Sequence, residues 1–398
     1  MTIVYLIFSV LLIWLSFRSF CGGLDYLAFF RTELAKPLSA YMPKATIIAP
    51  CRGIDEGFHE NLTALIEQEY PEFEVIFVVD DADDEAVETI NLLIASTSNA
   101  KLIVAQKATN SSQKVENLRE AVLHAADDSK VFVFVDSDAR PQKHWLRRIV
   151  APLENNDVGA ATGYRWFISP KSTVGSELRS AWNASIASAL GPNTASNFCW
   201  GGSMAIRRDV FDDISMRERW AGTLSDDFVV TNSMKEVAKS IVFVPQALAV
   251  TYETCSFRSM LEFTTRQMKI TRVYATPLWL LSFFGSTVFL SVIVASIAIM
   301  ASSRMDGWLS WFAFTTVSLV FGLSIGKAFL RLKAVRLALP NWDNLLKKQT
   351  FPQITLFLVA PAVFLYNCVA ALISRRINWR GTVYELKSRT ETVIISSE

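Results

Sequence analysis

The stretch Val131-Phe132-Val133-Phe134-Val135-Asp136-Ser137-Asp138 decides the fold of this chain. Five consecutive β-branched or aromatic residues predict a strand that is buried on both faces, and two carboxylates follow its carboxyl end. Residues two apart in an extended chain point to the same face, so Asp136 and Asp138 converge. Converging carboxylates repel each other unless a cation neutralises them. The pattern favours a site for Mg²⁺ or Mn²⁺, although D-S-D before A-R-P is also typical of a solvated turn.

Runs of the same character precede this strand along the chain. They comprise Thr46–Pro50, Val75–Val79 and Lys101–Val104. Helical patterns separate these runs, at about Phe58–Gln68, Asp84–Ala95, Val115–Ala126 and Lys143–Leu153. This alternation predicts an α/β fold of the Rossmann-like kind, with a mostly parallel sheet covered by helices on both faces. In such sheets ligands bind beyond the carboxyl ends of the strands, where both Asp80 and Asp136 are expected.

The composition indicates a membrane protein. Of the 398 residues 51% are apolar and only 19% are charged, which is unusual for a soluble domain. The net charge of +1 gives no strong attraction to nucleic acid, and we expect no nucleic-acid partner. The five cysteines are far apart and form no C-x-x-C pair, which argues against a disulfide framework or a zinc site.

Apolar segments of membrane-spanning length bracket the predicted sheet. They are Thr2–Phe17, Pro277–Ser302, Trp308–Lys327 and Phe351–Ile373. The first has no basic flank and no A-x-A-like site, so we expect an uncleaved anchor. The predicted organisation is a transmembrane anchor at 1–20, a sheet domain at 43–255, a surface helix at 256–276, transmembrane helices at 277–374 and a polar tail at 375–398.

Positive charges predict the orientation of this multi-pass protein. Lysines and arginines are frequent between the third and fourth apolar segments, which puts that loop and the sheet domain on the cytoplasmic face. Counting four crossings then puts the tail on the opposite face. Arg375, Arg376 and Arg380 in the tail favour the cytoplasmic side instead. The sequence leaves this conflict open.

Asp80 and Asp81 end the predicted strand Val75–Val79. A carboxylate at that position can accept a hydrogen bond from the imide N–H of a uracil ring. The alternative is helix capping, for which Asp83 or Asp84 is well placed. We expect Asp80 or Asp81 to bind the donor nucleotide.

Asp226 and Asp227 follow Ser225 and open a predicted helix. Their ordinary role is to cap the helix and to compensate its dipole. The functional alternative is a general base that takes the proton from an acceptor hydroxyl. We expect one acid to cap while the other catalyses, and the sequence analysis prefers Asp227 as the base over Asp226.

Trp200, Gly201 and Gly202 precede a further short strand. Paired glycines let a backbone approach a ligand closely, and an indole offers an apolar face to a sugar or lipid acceptor. An ordinary glycine turn explains the pattern equally well.

Basic residues are candidates for binding the donor phosphates. Arg266, Lys269 and Arg272 form a stripe on the predicted surface helix and either hold the diphosphate or anchor the helix to lipid headgroups. Lys114 begins a helix beside the sheet edge, where it either faces a phosphate or is simply solvated.

With these motifs in order, the chain resembles the family 2 inverting glycosyltransferases of GT-A fold, and within them the ceramide glucosyltransferase group. The resemblance covers about Pro43–Ala275, the placement of the membrane segments and the W-R of the tail at Trp379 and Arg380. It implies that Asp80 and Asp81 bind uridine and that Asp136 and Asp138 form the metal-binding D-x-D. It also implies that Asp227 is the base and that Lys114 and Asn117 match a K-x-x-N stretch.

One motif departs from that group's pattern. The group carries Q/R-x-x-R-W on the surface helix, and here the matching stretch is Arg266-Gln267-Met268-Lys269-Ile270. A lysine cannot make the bidentate phosphate contact of an arginine. The isoleucine removes a face on which an acceptor could stack.

The resemblance implies a membrane-bound enzyme that transfers a sugar, glucose by analogy, from a UDP-sugar to a ceramide-like lipid with Mg²⁺ or Mn²⁺. One alternative is a polysaccharide synthase of the same family. Another is a catalytically silent membrane scaffold that binds nucleotide-sugar. Product size and turnover distinguish the three.

Overall fold

The computed structural model describes residues 2–302 and 307–397, which form two compact units. The helical unit comprises the residues up to Thr32, Thr173–Ser188 and Cys255–Ser374. The sheet unit comprises Glu33–Ser172, Ala189–Thr254 and the residues from Arg375 onward.

The sheet unit contains the strands β1 (Ala45–Pro50), β2 (Phe73–Val79), β3 (Ala100–Val104), β4 (Val131–Phe134), β5 (Val158–Thr162), β6 (Arg165–Ile168), β7 (Met204–Arg207), β8 (Ser240–Phe243), β9 (Ala249–Tyr252), β10 (Arg376–Trp379), β11 (Thr382–Leu386) and β12 (Thr392–Ser397). The main sheet has the order β3-β2-β1-β4-β7-β5-β8. Its strands are parallel except β7, which runs antiparallel to β4 and β5. Strands β6 and β9 form a parallel pair, and β10–β12 form an antiparallel sheet. The predicted α/β fold is confirmed.

The helices in chain order are α1 (Thr2–Leu34), α2 (Phe58–Ile66), α3 (Ala86–Ala95), α4 (Gln113–Ala121), α5 (Trp145–Val150), α6 (Val174–Ala187), α7 (Arg208–Asp213), α8 (Met216–Arg219), α9 (Asp226–Glu236), α10 (Phe257–Tyr274), α11 (Thr276–Ser302), α12 (Trp308–Ala338), α13 (Asp343–Lys348), α14 (Thr350–Thr355) and α15 (Ala360–Ile373). Helices α2 to α5 lie in the four predicted positions. The sequence analysis did not predict α6.

The core beside the main sheet is aromatic. Phe132 and Phe134 on β4 pack edge-on against Phe211 and Trp220, with ring centroids 5.1 and 5.3 Å apart. All four side chains are essentially buried. The continuous β-branched and aromatic strands thus cover a dry core, as their pattern predicts.

This sheet places the acidic clusters on one edge. Strands β2 and β4 both pair with β1, so they are next-but-one neighbours. Asp80 follows the last residue of β2, and Asp136 lies two residues past the end of β4. Neighbouring strands are about 4.8 Å apart, so the two clusters lie roughly 10 Å apart along the carboxyl edge.

The helical unit contains the membrane-length helices. Among the described residues α1, α11 and α12 are long and apolar enough to span a bilayer, which confirms the first three predicted segments. The fourth predicted segment is instead a helix pair, Thr350–Leu358 and Ala360–Ile373, bent by 56° at the break. Because of the bend, length and composition fit either a broken span or a re-entrant loop.

Helix α6 belongs to the helical unit, although the segments before and after it in the chain belong to the sheet unit. Its Trp182 stacks on Phe364 of α15 with ring centroids 4.9 Å apart. Its Ser180 accepts a hydrogen bond of 3.0 Å from Gln353, which accepts one of 3.2 Å from the buried Arg331 of α12. Polar side chains therefore link three elements inside the helical unit.

The segment from Arg375 onward, interpreted from sequence as a polar tail, is the sheet β10–β12 within the sheet unit. Ile377, Tyr384 and Leu386 are 2% exposed or less. Along β11 burial alternates residue by residue, as expected of a strand with one face packed on a core.

Candidate functional site

The D-x-D carboxylates lie between two cations of the chain. Lys114 Nζ is 2.7 Å from Asp136 Oδ1, and Arg165 Nη2 is 2.8 Å from Asp136 Oδ2. Arg165 Nη1 is 3.2 Å from Asp138 Oδ2. All four side chains are at most 24% exposed. The repulsion between the two acids is thus relieved by residues from α4 and β6.

Asp226 joins the same cluster through Lys114. It opens α9, is 3% exposed, and its Oδ1 lies 3.2 Å from Lys114 Nζ. Its Oδ2 is buried and has no hydrogen-bond partner. A single lysine therefore links the end of β4 with the start of α9. Below, the inner cluster means Asp136, Asp138, Asp226, Lys114 and Arg165.

Two glycines let these groups approach one another. A Cβ at Gly201 would lie 2.1 Å from Asp226 Oδ2 and 2.9 Å from Lys114 Nζ. A Cβ at Gly202 would lie 2.6 Å from Asp136 Oδ2. Neither position has room for a side chain unless an acid moves. The predicted glycine pair thus lies against the inner cluster.

Trp200 lies beside the glycines but is only 8% exposed. The Arg165 guanidinium carbon is 4.6 Å from its ring centroid, within the range of a cation–π contact. In this structure the indole supports Arg165, and through it the D-x-D acids.

Burial shifts the titration of the inner cluster. Burial raises the pKa of Asp226 to about 6 against the opposing effect of Lys114. Burial also raises the pKa of Asp138. Burial opposes ionisation of Asp136 as well, but Lys114 and Arg165 hold its pKa below the usual range. Burial would lower the pKa of Lys114, yet Asp136 and Asp226 raise it overall. Asp226 thus has a pKa of about 6, in the range that suits a general base.

Asp227, the residue preferred from sequence, is used differently. Its Oδ1 accepts hydrogen bonds of 2.5 Å from Ser225 Oγ and 2.8 Å from the Phe228 amide. Its Oδ2 accepts a bond of 3.3 Å from the Gly201 amide. Ser225 is the N-cap of α9, and Asp227 supports this cap by sharing the Phe228 amide and ties the first turn to the glycine pair.

Asp80 and Asp81 share a cation that the sequence analysis missed. Lys107 Nζ is 2.9 Å from Asp80 Oδ2 and 3.0 Å from Asp81 Oδ2. Asp80 is 6% exposed, and its Oδ1 is buried without a hydrogen-bond partner. Asp81 and Lys107 are largely exposed, at 49% and 61%. These three residues are called the outer group below.

Asp84 takes the capping role that the sequence left open. Its Oδ1 accepts a 2.8 Å hydrogen bond from the Ala86 amide at the start of α3. The same oxygen accepts a 2.8 Å bond from the Gly53 amide in the loop after β1. Asp84 thereby fixes that loop next to the end of β2.

The three candidate basic residues on α10 belong to the helical unit. Arg272 donates to the Ala371 carbonyl and lies over the Trp279 ring at 5.8 Å. Arg266 lies over Phe263 at 5.6 Å, and burial lowers the pKa of Lys269. Their role towards a phosphate stays a prediction. Asn117, the other member of the K-x-x-N stretch, is buried and accepts from Gln113 at 2.9 Å.

The carboxylate oxygens of the D-x-D acids fit a divalent cation that binds together with the phosphates of a substrate. In residues 2–302 and 307–397 no group of three or more His, Cys, Asp or Glu side chains is arranged to hold a metal. Asp138 Oδ1 is buried and has no hydrogen-bond partner, whereas both oxygens of Asp136 face cations. Mg²⁺ and related ions commonly take one or two carboxylates, completed by water and substrate phosphates. Asp138, with Asp136 beside it, meets that requirement.

Sequence patterns missed the cationic side of the site. Arg165 and Lys107 stand alone in the sequence, and only the fold brings them to the acids. Asp55 and Arg380 likewise form an ion pair, at 2.7 Å, across more than 300 residues. The acids that the sequence predicts at one sheet edge indicate that basic side chains must lie nearby, because carboxylates gathered there require cations. They do not indicate which basic residues these are.

Three comparisons place these observations among known proteins. The sequence model of glycosyl transferase family 21 matches residues 11–392. Over 103 residues the chain is 28% identical to Ceramide glucosyltransferase 1 of Caenorhabditis elegans, covering 24% of this chain and 22% of that protein. The same values hold for Ceramide glucosyltransferase 3 of that organism. The aligned stretch thus spans only about a fifth of these curated relatives.

A solved structure has a similar fold. The mannosyltransferase PcManGT from Pyrobaculum calidifontis, solved in complex with GDP-Man and Mn²⁺, superposes with a TM-score of 0.52. The match covers 90% of this chain and 99% of that chain at 17% sequence identity. The fold extends over nearly the whole length of both proteins.

Proposed function

Because the chain belongs to glycosyl transferase family 21, we propose that it transfers a sugar from a UDP-sugar to a lipid hydroxyl at the membrane surface. Glucose and a ceramide-like acceptor are the first candidates, since the curated relatives are ceramide glucosyltransferases. The observation that carries the proposal is the inner cluster. It combines a buried acid with raised pKa, two carboxylates suited to a metal and two buried cations.

The outer group is the proposed site for the nucleoside. Asp80 Oδ1 is buried and has no partner, so it can accept the imide N–H of a uracil ring. Lys107 holds the other oxygen of Asp80 and fixes its rotamer. A base bound here leaves its diphosphate to run along the carboxyl edge towards Asp138.

The D-x-D acids are the proposed site for Mg²⁺ or Mn²⁺, with Asp138 as the principal ligand. When bound, such a cation neutralises negative charge on the diphosphate. Lys114 and Arg165 already balance Asp136, so they keep that acid ionised and positioned before the donor arrives. The metal in the PcManGT complex supports a divalent cation but does not choose between Mg²⁺ and Mn²⁺ here.

We assign the general base to Asp226 rather than Asp227. Asp226 has a buried oxygen without a partner and a pKa of about 6, whereas both oxygens of Asp227 accept hydrogen bonds. Asp226 takes the proton of the acceptor hydroxyl as that oxygen attacks the anomeric carbon. The bond to the leaving diphosphate breaks, and the configuration inverts. Gly201 packs against Asp226 Oδ2, and a side chain there would displace the acid.

The same fold suggests a membrane topology. Segment 375–397 folds into the sheet unit, so it lies on the same side of the membrane as the inner cluster. An even number of crossings must separate the two. Helices α11 and α12 supply two, and the bent pair α14–α15 then enters and leaves on one face. The conflict between the crossing count and the tail arginines disappears, and both parts lie on the cytoplasmic face by the positive-inside rule.

The decisive experiment is transfer by purified full-length protein in lipid nanodiscs. We expect labelled UDP-glucose with Mn²⁺ and ceramide to give a lipid carrying one sugar, with a β linkage. GDP-mannose and other lipid acceptors test the donor base and the acceptor separately. If the protein neither hydrolyses any of these donors nor transfers sugar from them, the proposal is wrong. A growing polymer would support the polysaccharide synthase, and binding without turnover would support the silent scaffold.

A further inference from the structure

The C-terminal sheet packs at the same edge as the donor site. The buried hydroxyl of Tyr384 on β11 accepts a 3.2 Å hydrogen bond from the amide of Gln113, the residue before Lys114. A Cβ at Gly222, which precedes α9, would lie 2.5 Å from the Thr390 carbonyl oxygen. The sheet thus contacts the segments that present Lys114 and Asp226.

A tight turn between β10 and β11 carries an arginine. Arg380 and Gly381 both have positive φ, 50° and 78°. Residues other than glycine rarely adopt this conformation, and it persists only when the surroundings enforce it. The turn directs the Arg380 side chain to the loop after β1.

That loop holds the guanidinium by a carboxylate and a backbone carbonyl. Arg380 Nη2 lies 2.9 and 2.7 Å from the two oxygens of Asp55, and Nη1 donates at 2.9 Å to the Arg52 carbonyl. The side chain remains 39% exposed. A guanidinium that binds a carboxylate through one nitrogen and stays accessible to solvent is suited to exchange that carboxylate for a phosphate.

The inner cluster lies within electrostatic reach of this guanidinium. Burial lowers the pKa of Arg380, but Asp55, Asp138 and Glu253 raise it overall. Arg380 is held on the loop after β1, and β1 lies between β2, which ends at the outer group, and β4, which ends at the D-x-D acids. The guanidinium therefore lies at the carboxyl edge between the proposed nucleoside and metal sites, where the diphosphate is expected.

We propose that Arg380 binds the donor diphosphate, reaching it from the C-terminal turn and leaving Asp55 as it does so. This inference rests on the proposed function and adds an exposed guanidinium to the cations of the candidate donor site. Asp55 then serves as a holding partner that keeps the side chain oriented before the donor binds.

The test compares ligands with and without phosphates. Full-length protein in nanodiscs is titrated calorimetrically with UDP and with uridine, in the presence of Mn²⁺. We expect Arg380→Gln to weaken UDP by about tenfold or more, the loss expected for a charged hydrogen bond, while uridine affinity is unchanged. Arg380→Lys should recover only part of the affinity because it loses the bidentate contact. Arg376→Gln, an exposed arginine on β10, is the matched control and should bind both ligands normally.

A purely structural role predicts a different pattern. If Arg380 acted only by fixing the loop after β1, Asp55→Asn would reproduce Arg380→Gln, and both would weaken UDP and uridine alike. In our proposal Asp55→Asn keeps UDP affinity near that of the unaltered protein. Unchanged UDP binding in Arg380→Gln, with the unaltered protein binding UDP, overturns this inference alone. If the unaltered protein binds GDP but not UDP, the UDP donor is wrong, and GDP against guanosine then tests Arg380.

Discussion

The inner cluster and the outer group use the same chemistry in different surroundings. Each pairs carboxylates with a lysine at the carboxyl edge of one sheet. Lys114 is 15% exposed, whereas Lys107 is 61% exposed. Water screens the outer pair strongly and the inner pair weakly, so an equal change of charge should have unequal effects. On the proposed roles, the exposure of the lysine therefore distinguishes the cluster assigned to chemistry from the group assigned to donor recognition.

The largest expected effect is the loss of the base in the inner cluster. Asp226→Asn keeps the shape of the side chain but cannot accept the hydroxyl proton. We expect kcat to fall by at least about 100-fold while UDP binding persists. Asp227→Asn should cost much less turnover and should lower thermal stability, because it weakens a helix cap. If Asp227→Asn abolishes turnover and Asp226→Asn does not, the assignment of the base reverses.

The choice between Asp226 and Asp227 as the base could not be predicted from the sequence. The sequence predicts that one of the two adjacent acids after Ser225 caps the helix and that the other is the base. The sequence pattern itself does not distinguish the two acids. Only the hydrogen bonds of Ser225 and Phe228 to Asp227, and the close approach of Gly201 to Asp226, separate them. Such distances depend on backbone geometry that one sequence does not contain.

The main sheet was predictable from the sequence, and the separate C-terminal sheet β10–β12 was not. Strands β1, β2 and β4 are continuous β-branched or aromatic runs, so local pattern and burial agree. Thr382–Leu386 alternates in burial, but it follows a membrane-length segment and was interpreted as tail. Arg165 and Lys107 carry no local pattern because their partners come from other strands.

A second expected effect comes from filling the gap beside the base. In Gly201→Ala the new methyl would lie 2.1 Å from Asp226 Oδ2, so the acid must move away from its working position. Misplacing a catalytic group by about 1 Å can cost on the order of 100-fold in rate. The matched control is Gly191→Ala in the same unit, where no atom lies within 4 Å of the added Cβ. Equal kinetics in the two variants would mean that Asp226 tolerates displacement and is not the base.

The pH profile gives a smaller, directional effect. A base works only when deprotonated, and the pKa of Asp226 is raised to about 6, so kcat/KM should rise with pH through about 6 and then level off. Lys114 lowers this pKa, and Lys114→Met removes that effect. The rising limb should therefore move to higher pH. A limb near the ordinary value of an exposed aspartate, about 4, would show that burial does not tune the base.

The smallest expected effect lies in the outer group. Lys107→Met removes the cation shared by Asp80 and Asp81, but Lys107 itself is 61% exposed, and ion pairs that water screens contribute only about 0–1 kcal/mol. We therefore expect UDP affinity to fall by less than about fivefold, with kcat unchanged. The effect should shrink further at high salt, because the pair is accessible to ions. Isothermal titration at two salt concentrations measures both. A more than tenfold loss of UDP affinity that is the same at both salt concentrations would mean that water screens the outer pair as poorly as the inner one. The exposure of the lysine would then not distinguish the outer group from the inner cluster.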